Sequence, residues 1–236
     1  GRFVAQRRAM CGALTVASEP LDSVAPDARR EALLAFLARQ ELRPLPWTDE
    51  LRQWQQRVAL LRRCWEGGDD ERNPWPDVSD RALLEDLPQW LGAALDPVHN
   101  LRDLQRLDLA GLLSVKLPWP LRRLLDEQAP SHGRAPTGTR IRIDYIQQSP
   151  SIAVRLQEMF GCGCGPVLAW GRVPVVVQLL SPAGRPLQVT ADLAGFWAGS
   201  YQQVKKEMKG RYPKHAWPDD PLCAQPVRGV RRPRPA

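Results

Sequence analysis

Near residue 134 the spacing of apolar side chains changes from a helical to an extended period, and that switch divides the chain into a helical part and a β-rich part. In DARREALLAFLARQ, 27–40, Leu33, Leu34, Phe36 and Leu37 fall at helical spacing among good helix formers, and Pro44 and Pro46 follow its end. TDELRQWQQRVALLRRCW predicts a second helix, with Thr48 as N-cap and a stripe of Leu51, Trp54, Val58, Leu61 and Trp65. EGGDDERNPWP, 66–76, predicts a loop. Further helices are expected in SDRALLEDLPQWLGAAL, capped at Ser79, in LRDLQRLDLAGLLSV and in PLRRLLDEQAP. Beyond Arg134 the period becomes two. RIRIDYI, 140–146, alternates, VPVVVQLLSP, 173–182, is a β-branched run, and RPLQVT, 185–190, follows an Ala-Gly turn. SIAVRLQEMFG, 151–161, is compatible with a helix, and DLAGFWAGSYQQVKKEMKGR predicts a closing one.

The expected architecture is therefore α+β. An N-terminal hairpin at 1–22, GRFVAQRRAMCGALTVASEP, precedes a helical domain at 23–130 and a small α+β domain with a mostly antiparallel sheet at 131–221. A lone hairpin is not stable by itself, and these first residues begin mid-pattern, so they predict the edge of a small β-domain. The Pro- and Arg-rich segment 222–236 has little to bury and predicts a disordered basic tail.

Several function classes are excluded by what the sequence lacks. None of the five lysines follows a glycine-rich run and precedes Ser or Thr, so there is no phosphate-binding P-loop. In GCGCGPVLAWG, Pro166 and Leu168 stand where a dinucleotide fingerprint needs its third glycine. The cysteines, Cys11, Cys64, Cys162, Cys164 and Cys223, are scattered and odd in number, which argues against a disulfide framework and for a reducing compartment. No second pair at zinc spacing joins Cys162 and Cys164, so no metal is expected. His99, His132 and His215 lie in loop contexts without a metalloprotease or nucleophile-elbow frame, and no catalytic residue is expected. No apolar run approaches the roughly 18 to 20 residues of a membrane span, and a cytoplasmic protein is expected.

The basic residues carry a pattern. A formal charge of +7 favours polyanionic partners. On a helix from about 197 to 209, Trp197, Tyr201, Val204 and Met208 line one face, while Lys205, Lys206 and Lys209 fan over a flank opposite Glu207. Arg211 and Lys214 lie just beyond it. On the RIRIDYI strand Arg140, Arg142 and Asp144 share the face opposite Ile141, Ile143 and Tyr145. These cations, with His215, are the candidate phosphate contacts, although a solvated helix face explains the same pattern. In KGRYPKHAWPDDP, 209–221, Tyr212, Pro213, Trp217 and Pro218 form a stiff clasp on the core, with Lys214 and His215 lifted out between the anchors.

AVRLQEMFG, GRVPVVVQLLSPAGRPLQVTADLAGFW and especially KEMKGRYPKHAWPDDP resemble the C-terminal region of the bacterial HrpB-type ATP-dependent helicases, of the DEAH-box class. The resemblance runs from PTGTRIRIDY to the end, and the helical part fits more loosely through LPW, 45–47, and PTGTR, 136–140. It implies that two RecA-like motor domains, a winged helix, a helical bundle and an OB-fold precede this region, and that residues 1–22 are similar to closing strands of that OB-fold. It implies a parent that hydrolyses ATP with magnesium and acts on RNA or another nucleic acid. The ATP- and magnesium-binding residues of the family lie upstream, so no cofactor is expected in this chain. The expected role is non-catalytic: to hold single-stranded RNA beside the motor domains in cis. The alternative is a scaffold that packs on the motor and sets its conformation.

Overall fold

The computed structural model describes residues 3, 6–20, 24–67 and 72–230. They form a mixed α+β structure in two compact units, Gly1–Ala59 with Asn73–Trp119, and Leu60–Arg72 with Pro120–Ala236. The helix expected to close the helical domain thus groups with the sheet.

The first unit opens with the hairpin β1 (Gln6–Cys11) and β2 (Leu14–Pro20), antiparallel and turning at Gly12 with φ 61°. Every residue of β2 is exposed, including Leu14 and Val16. Helices α1 (Pro26–Arg39), α2 (Asp49–Arg63, whose end from Leu60 on belongs to the second unit), α3 (Asp80–Glu85), α4 (Leu87–Leu91), α5 (Leu101–Leu104) and α6 (Leu109–Lys116) follow. The capping chemistry is local and readable. The Thr48 hydroxyl accepts from the Leu51 N–H at 3.2 Å, Ser79 accepts from Ala82 at 3.2 Å, and Asn100 with Asp103 forms a reciprocal capping box. Asp108 caps α6 through the Gly111 N–H at 2.9 Å, which breaks the helix expected to run unbroken from residue 101. Similarly SDRALLEDLPQWLGAAL forms two short helices and a 3-10 turn, Gly92–Leu95, because Pro88 cannot continue α3. The core is largely leucine: Leu33, Leu37, Leu42, Leu83, Leu87, Leu91, Leu95, Leu104, Leu109 and Leu113 pack as one cluster. Besides Val58, helix α2 buries Gln53, Gln55 and Arg57, and the Gln55 amide donates to Val78 O at 2.6 Å and Asp80 Oδ1 at 2.8 Å. A buried amide is tolerated where it is bonded.

The second unit contains α7 (Trp119–Gln128), whose first residue belongs to the other unit, and a five-stranded sheet. Its order is β3 (His132–Arg134), β4 (Arg140–Asp144), β5 (Ser151–Arg155), β8 (Val176–Leu180), β9 (Pro186–Thr190). All pairs are antiparallel except β5 with β8. Between them lies a small hairpin, β6 (Val167–Leu168) and β7 (Val173–Pro174). The segment compatible with a helix is instead strand β5 followed by a 3-10 turn, Leu156–Met159. Ile152, Val154 and Leu156 are buried while Ala153 and Arg155 are exposed, a period of two that a short apolar run shares with a helical reading. The β8–β9 connection is longer than an Ala-Gly turn. Ser181 accepts from Gly184 N–H at 2.9 Å and its own N–H reaches Arg185 O at 2.8 Å, with Gly184 at φ 78°.

The closing helix is also two helices, α8 (Leu193–Ala198) and α9 (Tyr201–Arg211), interrupted at Gly199. Glycine weakens a helix interior, and the break lets Trp197 and Tyr201 stack edge to face at 5.4 Å. Phe160 and Phe196 complete this aromatic cluster, and the Trp197 indole N–H donates to Cys162 O at 2.8 Å, pinning the GCGCG turn. Residues 222–230, expected to be disordered, lie along the same unit: Val227 N–H donates to Gln157 O at 2.9 Å, and Gly161 N–H to Pro221 O at 2.9 Å. Residues 231–236, the rest of the expected tail, lie outside the described residues.

Candidate nucleic-acid interface

The pleat of β4 turns Ile141 and Ile143 into the core and leaves Arg140 and Arg142 exposed. Across the β3–β4 pair Arg134 sits opposite Arg140, and His132 opposite Arg142. Four-residue closure at Ala135–Gly138 makes this possible: Gly138 N–H donates to Ala135 O at 2.8 Å, and Gly138 adopts φ 79°. On the other side, the register that sets Ile143 opposite Ile152 carries Arg155 beside Arg140. Like charges directly opposite are unfavourable in a sheet, so a run of arginines on one exposed face needs a compensating partner.

Two clefts open on this face and share Arg140. One, of about 330 Å³, is lined by Asp126, Pro130, Ser131, His132, Gly133, Arg134 and Arg140. The other, of about 310 Å³, is lined by Thr139, Arg140, Arg155, Glu158 and Arg228. The Glu158 carboxylate is buried and accepts from the hydroxyls of Thr137, at 2.7 Å, and Thr139. The arginines outnumber the two carboxylates that line these clefts. Arg140 also donates to His132 Nδ1 at 3.2 Å. Burial of the ring first, then the charges of Arg140 and Arg142, hold the pKa of the His132 imidazole below its ordinary value.

The cations of α9 are arranged differently. Lys205 forms an ion pair with Asp219 and is largely covered. Lys206, Lys209, Arg211 and Lys214 are exposed. Lys205 and, more weakly, Lys209 hold the Asp219 carboxyl below the usual carboxylate range, so the aspartates of the PDDP run offset part of the lysine charge. Neither cleft is lined by a residue of α9. His215 is half-buried rather than lifted out, its ring edge-on to Tyr212 at 6.0 Å.

The stiff segment after α9 folds back on it. Trp217 is buried and its indole N–H donates to Tyr212 O at 3.0 Å, while Tyr212 is half-buried and Pro213 exposed. The Tyr201 hydroxyl donates to Pro218 O at 2.9 Å and the Gln202 amide to Asp219 O at 3.0 Å. Burial pushes the Tyr201 hydroxyl well above its ordinary pKa.

The sequence names Arg140 and Arg142 on this face but not Arg134 or Arg155, and it assigns Arg228 to a disordered basic tail. The PTG turn between HGR and RIRI was a signal for Arg134. Arg155 was hidden by the helical reading of its segment, and Arg228 by the expectation of a disordered tail. Among the described residues no group of three or more His, Cys, Asp or Glu is placed to hold a metal ion.

Residues 90–221 match the HrpB C-terminal family, described as ATP-dependent helicase C-terminal. The chain belongs to that family. It is 44% identical over 233 residues to the ATP-dependent RNA helicase HrpB of Escherichia coli (strain K12), covering 98% of this chain and 28% of that protein. The crystal structure of the E. coli DExH-box NTPase HrpB superposes with a TM-score of 0.79 at 44% identity, over 94% of this chain and 27% of that one. The crystal structure of the Escherichia coli DEAH/RHA helicase HrpB gives a TM-score of 0.67 at 42% identity, over 90% and 26%. The chain thus spans little more than a quarter of the relatives it matches.

Proposed function

We propose that this chain is the non-catalytic C-terminal accessory region of a cytoplasmic ATP-dependent RNA helicase, and that it binds the phosphates of single-stranded RNA beside the motor domains. The observation that carries the reading is the arginine face on β3, β4 and β5, where Arg134, Arg140 and Arg155, joined by Arg228 from the C-terminal segment, line two clefts that have Arg140 in common, with Arg142 exposed on the same strand as Arg140. Guanidinium groups suit phosphate because their planar fork donates two parallel hydrogen bonds. Family membership supports the helicase context, in which ATP and magnesium would be bound by segments of the longer relatives outside the matched region. The cations of α9, Lys205, Lys206, Lys209 and Arg211, with Lys214 just beyond it, would act as a secondary basic surface, weakened by Asp219.

Binding of single-stranded RNA, followed by fluorescence anisotropy at several salt concentrations, tests this. Each phosphate contact on a single strand contributes about 0.7 to the slope of log K against log salt, so Arg140→Ala with Arg155→Ala should flatten it by about one to two. The triple Lys205→Ala, Lys206→Ala, Lys209→Ala should change it less. The reverse order would move the phosphate path to α9, and no binding at low salt would remove the reading.

One observation favours the scaffold alternative. Val115 and Trp119, four residues apart in the first unit, are 79% and 76% exposed, and a contiguous exposed apolar patch built around them would suit cover by another protein part. Docking of the motor domains there would leave RNA affinity unchanged in both sets of variants.

A further inference from the structure

The connection of the β6–β7 hairpin holds three successive residues at positive φ: Ala169 at 50°, Trp170 at 59° and Gly171 at 82°. Only the third is glycine. The left-handed region is unfavourable for residues with a Cβ, and such conformations persist only where surrounding bonds over-determine them. Those bonds come from Gln128, the last residue of α7. Its carbonyl accepts from Ala169 N–H at 2.8 Å and its side-chain Oε1 from Trp170 N–H at 2.8 Å, while Ala169 is fully buried. The turn presents Trp170 with 39% of its surface exposed, whereas Trp75, Trp197 and Trp217 are 8% exposed or less. Arg172, fixed by the Cys64 carbonyl at 2.5 Å and Glu66 at 2.6 Å, sets its guanidinium 5.7 Å from the Trp170 ring centroid.

The same Gln128 ties the turn to the stretch of chain that leads into one of the arginine clefts. Gln128 and His132 are four residues apart, so at most about 14 Å of chain separates the turn's anchor from a cleft-lining residue. Asp126 on α7 and Pro130 line that cleft too, and Pro130 O accepts from the buried Tyr145 hydroxyl at 2.7 Å, tying this stretch to the sheet. A rigid aromatic ring and several phosphate-binding side chains within a few nucleotides of one another are the two parts of a single-strand site.

We propose that Trp170 is a stacking platform for an unpaired base of the strand whose phosphates lie on Arg134, Arg140 and Arg155. The proposal rests on the phosphate reading above and adds the requirement for a free base face, which a duplex does not offer. Stacking is tolerant of base identity because every base has a π-face, so the site selects unpaired strand rather than sequence. Arg172 beside the ring adds a cation that favours the same polyanion.

The test compares three probes on the whole chain: a uridine 12-mer, a ribose-phosphate 12-mer without bases, and a blunt RNA duplex of equal length. Base stacking corresponds to about a five- to hundred-fold change in affinity, so Trp170→Ala should weaken the uridine strand by that factor with its salt slope unchanged. Binding of the baseless strand and of the duplex should stay within two-fold, roughly the scatter of such measurements. Trp170→Phe should restore most of the loss, and Trp170→Leu, apolar but without a π-face, should not. Equal losses on the baseless strand would show that the side chain supports the turn and not a base, and no loss on any strand would end the proposal. Should Arg140→Ala with Arg155→Ala flatten the slope while Trp170→Ala is silent, stacking fails and phosphate binding stands. Should the arginine pair be silent on all three probes, phosphate binding fails first.

Discussion

Trp217→Ala is expected to destabilise the unit containing the sheet by about 3 to 4 kcal/mol. Removing a buried large aromatic costs about 3 to 5 kcal/mol, through lost transfer free energy and the cavity left behind. Trp217 is 8% exposed, and its neighbour segment can partly settle, which favours the lower end. The lost indole hydrogen bond adds little, because Tyr212 O also accepts from His215 N–H at 3.1 Å and is not orphaned. For a cooperative unit of this size about 1 kcal/mol corresponds to roughly 2 to 4 °C, so a melting curve followed by circular dichroism should move down by about 6 to 16 °C. Trp217→Phe keeps an aromatic ring and fills part of the cavity, and should lose less than Trp217→Ala. Lys214→Ala, exposed on the same segment, should shift the curve by no more than its surface position allows, about 0.5 kcal/mol. A shift of the Trp217→Ala curve below about 2 °C, well under the expected loss, would refute the anchoring of the clasp.

His132 titrates below the ordinary imidazole value in the free chain, so folded molecules bind fewer protons than unfolded ones, and stability should fall as pH drops through the ordinary histidine range. Phosphates on Arg140 and Arg142 should offset the part of that shift that comes from the two arginines, raising the His132 pKa in NMR titrations with RNA and tightening binding as pH falls; an unchanged pKa would place the strand elsewhere. Gly138→Ala should cost about 1 to 2 kcal/mol from its φ of 79° alone, since the added Cβ meets nothing closer than Arg228 at 3.8 Å, and should weaken RNA binding by disturbing Arg134 and Arg140. Asp219 has a carboxyl depressed by Lys205, so the pair stabilises above the ordinary value of 3.8 and the contribution is lost as pH falls below it. Asp219→Asn should therefore remove that limb from a plot of melting temperature against pH, and a limb that persists would show that other carboxylates create it.

Much of this chain is local, and local features are readable from residues alone. Thr48, Ser79 and Asn100 cap helices because a side-chain oxygen within three residues of a free N–H needs no distant partner. The alternation of RIRID specifies an outward arginine pair for the same reason: a strand's period is a property of its own backbone. Where two periods fit a short apolar run, as in SIAVRLQEMFG, local information does not decide. The parallel partner β8, twenty-five residues further along, makes it a strand.

Cations without hydrophobic periodicity leave no such trace. Lys205 looked as free as Lys206 and Lys209 along the helix wheel, but a turn at Trp217 returns Asp219 to it. Arg155 and Arg228 lie seventy-three residues apart and share a cleft only because β5 pairs beside β4 and Val227 hydrogen-bonds Gln157. The sequence by itself determined the α+β class, most helix starts and the basic character of the surface, all consequences of neighbours within a turn or a strand. Which cations stand together, which are neutralised, and which tryptophans remain uncovered were decided by the tertiary structure alone, because electrostatic and stacking partners are selected by distance in space and not by separation along the chain.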